Sequence, residues 1–171
     1  MILSKERDPR LTTIRRGGTL TDDDHRLLAA WAADCAQHVL PLFEEACPGD
    51  FRPRDAIDQA RAWVRGEVRM MEARAFAFWA NAAARQTKGA AKRAAQAAGQ
   101  AAPVAHVAAH ALGAAAYAIL AAREAAPEGK GLAAGRKERA WQRRRLPAAI
   151  RALVLDDQHR RNALCWGVFE D

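Results

Sequence analysis

"AAKRAAQAAGQAAPVAHVAAHALGAAAYAILAA", residues 90–122, consists almost entirely of small apolar residues. Alanine loses no side-chain entropy in a helix and ranks first among helix formers. Small side chains also let two helix axes come close together. The stretch therefore predicts a tightly packed central helix pair on either side of Pro103. A membrane-spanning reading of its small-residue spacing fails on Lys92, Arg93, Gln96 and Gln100.

The same composition extends outward. Alanine supplies 43 of 171 residues, tyrosine occurs once, and β-branched residues are sparse. An all-α fold follows, as one compact bundle of about six to seven helices, in a chain long enough for one real core. We expect an irregular N-terminal segment over 1–20 and a single α-helical domain over 21–171. Half of the residues are hydrophobic and 27% are charged, with a mean hydropathy of -0.30. No run reaches transmembrane length, and "MILSKERDPRLTTIRRGGTL" lacks the apolar segment of a signal peptide. Cys35, Cys47 and Cys165 are odd in number, widely spaced and in apolar settings, so they read as reduced core thiols of a cytoplasmic protein. The net charge of +7 favours acidic partners: nucleic acid, anionic lipid or an acidic protein.

Element by element, Thr21 is the N-cap of a long helix whose first turn holds Asp22, Asp23 and Asp24. Leu28, Trp31, Cys35, Val39 and Leu42 or Phe43 mark its buried stripe, with Pro41 a kink and "CPGD" (47–50) the stop. A second helix starts near Pro53 and turns Ile57, Ala60 and Val64 inward. Gly66 either ends it or marks a close helix contact. A third, about 67–85, has Val68, Met71, Ala75, Phe78 and Trp79 as heavy core anchors. "APEGKGLAAG" (126–135) reads as a loop. A basic helix, a break at Pro147 and a last helix anchored by Ile150, Leu153, Val154, Leu164 and Val168 complete the chain. "DDQHRRN" (156–162) is a second candidate turn that would split that last helix.

Three groups of residues are candidates for function. On one helix, His106, His110, Gly113, Tyr117 and Glu124 form a stripe opposite an apolar back of Val104, Ala108, Leu112, Ala115 and Ile119. Two imidazoles four residues apart can share a metal ion. The pattern names no third ligand among His25, His38, Asp55, Glu67 and Glu72, and hydrogen-bonded packing or a polar recognition groove explains the pair as well. No metal or cofactor is therefore assigned. The second group is the basic block Arg136, Lys137, Arg139, Arg143, Arg144, Arg145 and Arg151, with Trp141 inside it. It could line phosphates or dock an acidic protein, although its charges wrap around the helix. Catalytic chemistry forms the third group and finds little support. The chain has one serine, Ser4, its cysteines lack a neighbouring base, and the acid pairs Asp22–Asp24, Glu44–Glu45 and Asp156–Asp157 suit helix ends. The expectation is no enzyme.

"RRGGTLTDDDHRLLAAWAADCAQHVLPLFE", "AAGQAAPVAHVAAHALGAAAYA" and "WQRRRLPAAIRALVL" together resemble the Imm-5-like family of small α-helical bacterial immunity proteins of polymorphic toxin systems. The resemblance runs from about residue 10 to residue 169. It implies a non-catalytic protein that binds and neutralises a cognate protein toxin, and the net charge of +7 favours one with an acidic surface. Binding candidates are His106, His110, Tyr117, Arg143, Arg144 and Arg145. Some relatives carry a label tying them to a DNA-repair exonuclease, so a basic nucleic-acid-associated helical protein is the alternative. No membrane role follows, and both monomer and homodimer stay open.

Overall fold

The computed structural model describes residue 3 and residues 6–170. It contains eight α-helices: α1 (Asp22–Val39), α2 (Pro41–Glu44), α3 (Arg52–Val64), α4 (Met70–Arg85), α5 (Gly89–Ala101), α6 (His110–Ala125), α7 (Gly131–Arg144) and α8 (Ala148–Arg160). No strand is present among the described residues, only an isolated bridge between Thr13 and Leu20. The fold is all-α.

The α1 start is as its sequence predicts: the Thr21 hydroxyl accepts from the Asp24 backbone N–H, with three aspartates at the positive end of the helix dipole. At Pro41 the chain bends without leaving helical geometry, since Leu40 keeps φ -54 and ψ -38 between α1 and α2. The two are one kinked helix with Phe43 fully buried beyond the kink. Gly66, at φ +77, ends the segment after α3.

The α5–α6 pair is the centre of the molecule. α4 and α3 pack on its one flank, α7 on the other, and α1 touches α3, α5 and α6. Alanines make this closeness possible, and two glycines show how tight it is. A Cβ on Gly99 of α5 would lie 2.9 Å from the Asn81 amide of α4, and one on Gly113 of α6 would lie 2.7 Å from Gln100 Oε1. Larger anchors close the periphery: Trp31, Phe43, Ile57, Leu112, Ile119, Ile150 and Phe169 are fully buried. Each contributes about 1.5–3 kcal/mol of hydrophobic stabilisation.

Four expectations need correction. Helix α4 starts at Met70, and its heavy residues are outside: Met71, Phe78 and Trp79 are 53%, 66% and 59% exposed, and Ala75 is exposed as well. Its buried face is Ala73, Ala77, Ala80, Ala83 and Ala84, because only a methyl fits where α4 meets α5. The loop after α6 is short, since α7 already begins at Gly131. α8 ends at Arg160 with a turn at 161–162, inside the 156–162 stretch, so Leu164 and Val168 lie beyond the helix, Leu164 43% exposed. Finally, His106 is not on α6. Pro103, with no N–H to extend α5, sits in a 3-10 turn over Ala102–Ala105, and residues 106–109 follow as tight turns in which His110 N–H bonds the Val107 carbonyl, so α6 begins only at His110. The N-terminal segment forms two 3-10 turns, Pro9–Leu11 and Ile14–Arg16, and buries Leu11 and Leu20 against the bundle.

Candidate functional site

The break between α5 and α6 gives each histidine its own partner. His110 Nδ1–H donates to Gln100 Oε1 at 2.8 Å, with Gln100 filling the space that Gly113 leaves. Burial, then His106, Arg161 and Arg74, push the His110 imidazole down to about 4. His106 faces cations instead. Arg16 Nη1 donates to its carbonyl at 3.1 Å, and Arg16 Nη2 lies 3.5 Å from its Nδ1. Burial and then Arg16 lower its basicity. The rings do not converge, and no group of three His, Cys, Asp or Glu that could hold a metal ion occurs among the described residues.

The rest of the stripe is also engaged. Tyr117 packs on Trp166 with ring centroids 5.1 Å apart, and Glu124 accepts from Arg93 Nε at 2.7 Å. His25 donates from Nε2 to the Val104 carbonyl at 2.6 Å and lies against Trp63. Glu67 pairs with Arg65, and Glu72 accepts from the Arg69 backbone.

Below the 106–109 turn, Asp157 and Arg161 form a buried ion pair. Both Arg161 terminal nitrogens also donate to the Ala109 carbonyl at 3.0 Å. This pair ties the start of α6 to the end of α8. Between the turn, α8 and the N-terminal segment lies a cleft of about 600 Å³ that includes Thr13, Arg16, His106, Arg160 and Leu164. Its cations and carboxylates are largely paired with each other; Arg10, for example, bridges Asp8 and Asp156.

The basic block divides in two. Arg139 is buried and donates to the Val168 carbonyl. Arg143 donates to Gln158 Oε1 and to the Phe169 carbonyl at 2.9 Å each. Those two hold the C-terminal segment. Arg144 and Arg145 are exposed, and Arg145 lies 4.4 Å over the Trp141 ring, itself stacked 3.7 Å from His38. His38 Nδ1–H donates to buried Glu138 at 2.7 Å, and Gln142 donates to the same carboxylate. The nearby Cys35 thiol is wholly enclosed, and burial followed by the Glu138 charge raises it well above the ordinary range. It has no access to a substrate, as buried thiols generally do not. Cys165 is likewise buried and pushed up to about 12. Ser4 lies outside the described residues.

The feature missed in the sequence is the outer face of α4. Met71, Ala75, Phe78 and Trp79 fall at i, i+4, i+7 and i+8, one apolar stripe about 100° wide. The buried alanines occupy the opposite side. Together the three large side chains present roughly 350 Å² of apolar surface, within the range of the largest patch on a typical monomer, which is often functional. The alternation of two apolar faces around α4 was the available signal.

These features describe an all-α protein. The chain belongs to the family described as Imm-5 like putative immunity protein, whose model matches residues 18–149. No curated protein and no solved structure matches the chain. No helix among the described residues is long and apolar enough to cross a membrane.

Proposed function

We propose that this protein is the immunity partner of a protein toxin, acting without catalysis by binding the toxin one-to-one and blocking it. The observation that carries the reading is family membership over residues 18–149. The chemistry on view fits it. Helices joined by short connections present fixed side chains, and a net charge of +7 speeds encounter with an acidic surface. Arg144 and Arg145 serve as candidate contacts, whereas His106, His110, Tyr117 and Arg143 contribute by holding the surface in shape. Such a protein works in the cytoplasm of a bacterium that carries the toxin.

Co-expression with the polypeptide encoded beside this gene tests the reading. The expected result is relief of growth arrest and a 1:1 complex by analytical ultracentrifugation. A neighbour that is not a toxin, or one this protein neither binds nor relieves, overturns it. The nucleic-acid alternative has less behind it, because Arg139 and Arg143 of the basic block are turned to internal carbonyls. It predicts a gel shift at about 50 mM salt that fades steeply as salt rises.

A further inference from the structure

We infer that the outer face of α4 is a docking surface for a protein with an apolar pocket bordered by carboxylates, and, resting on the immunity reading, that this partner is the toxin. Met71, Phe78 and Trp79 are each more than half exposed. Aromatic residues are the usual anchors of protein interfaces because they bury much area at little rotamer cost.

The border of the stripe selects the partner's charge. Arg69 stands at the N-terminal end of α4, Arg74 and Arg85 run along one flank, and Lys88 follows its C-terminal end. None of these four is in an ion pair among the described residues; Arg74 lies 5.9 Å over the Phe78 ring. The acid on the other flank, Glu72, is committed to the Arg69 backbone N–H at 2.7 Å. An apolar strip edged by available cations is complementary to an apolar pocket edged by acids.

The same charges disfavour a second copy of this chain. A two-fold contact is self-complementary, so it would set α4 against α4 and bring Arg69, Arg74 and Arg85 against the same three residues. Glu72, the one acid within α4, offsets at most one of these three charges. Packing inside the bundle does not explain the stripe either, because the opposite face of α4 already fills the α4–α5 contact with alanines.

The test uses the full chain with Phe78→Asp, Trp79→Asp and Arg74→Glu, titrated calorimetrically against the purified toxin domain encoded beside the gene. All three sites are at the surface, and circular dichroism and thermal melting confirm folding. Expected are tight 1:1 binding by wild type and weakening of about 30-fold or more for each aspartate variant. Arg74→Glu weakens binding less, and more at low salt than at high salt. Wild-type affinity in both aspartate variants overturns the α4 surface and leaves the immunity reading standing. No binding by wild type overturns the immunity reading, and the toxin as occupant falls with it. A wild-type dimer that Trp79→Asp converts to monomer assigns the face to a second copy and overturns the acidic partner. Binding of single-stranded oligothymidylate that Phe78→Asp abolishes assigns it to nucleic acid and overturns a protein partner.

Discussion

Lowering the pH should weaken this fold through His110 in particular. The ring is largely buried at the first position of α6, where the helix dipole is positive, and its Nδ1–H is committed to Gln100. Its folded-state value is about 4 against 6.5 for an unperturbed histidine. Above pH 6.5 the ring is neutral in both states and adds nothing to the pH dependence. Between 6.5 and 4 the unfolded chain takes up a proton that the folded chain refuses, so stability falls as pH falls. The difference amounts to roughly 2–3 kcal/mol lost by pH 4.5 and about 3 kcal/mol once both states are protonated. Urea unfolding followed by circular dichroism from about pH 7.5 to about pH 4.5 measures it, comparing wild type with His110→Gln. His25 and His106 are also lowered, chiefly by burial, but they titrate in both chains, so the difference curve reports His110 together with its coupling to His106. The salt-bridged carboxylates Asp8, Asp50 and Asp156 lie below their ordinary 3.8 and lose their contribution only at still lower pH. A difference curve that stays flat through the whole range would refute the assignment of a neutral, desolvated His110.

Three further outcomes follow from the packing. Phe78→Asp and Trp79→Asp should each change stability by less than about 0.5 kcal/mol, while Phe43→Ala costs about 3–5 kcal/mol in chemical denaturation. Equal losses would put the heavy side chains of α4 inside. Gly99→Ala should change stability by no more than about 1 kcal/mol, because its Cβ meets only the terminal amide of Asn81 while alanine favours the helix, and Asn81→Ala in the same chain should make it stabilising. Strict additivity of the two in a double-mutant cycle argues against that contact. Asp157→Ala should cost about 3–5 kcal/mol, because it leaves the Arg161 guanidinium buried without its carboxylate. A urea midpoint close to wild type would show that Arg161 finds solvent instead.

Much of the fold is legible locally. Thr21 with its aspartates, Pro53 in the first turn of α3 and Pro147 before α8 set their boundaries through backbone chemistry that needs no distant neighbour. The α4 face was not legible for a physical reason. Hydrophobic periodicity locates apolar faces but does not say which one is buried, and the usual preference for burying the larger residues gives the wrong answer there. The closeness of α5 excludes anything larger than alanine. The histidine stripe failed differently: a single wheel over 104–124 sets His106 and His110 on one side, whereas His106 lies in the turn before α6 and His110 opens the helix, so the two meet separate partners.

The amino-acid sequence by itself determined that this chain is all-α, where α1, α3 and α8 start, and that its centre is a close-packed alanine-rich pair. Those properties follow from propensity, capping and side-chain volume, all of which act within a few residues. The tertiary structure alone decided which face of each helix is covered and which cations are left available. It turned Arg143 inward to the Phe169 carbonyl, left Arg144 at the surface, and placed Phe78 and Trp79 outside. Burial depends on what the neighbouring helix can accommodate, and that neighbour is set by the arrangement of the whole bundle.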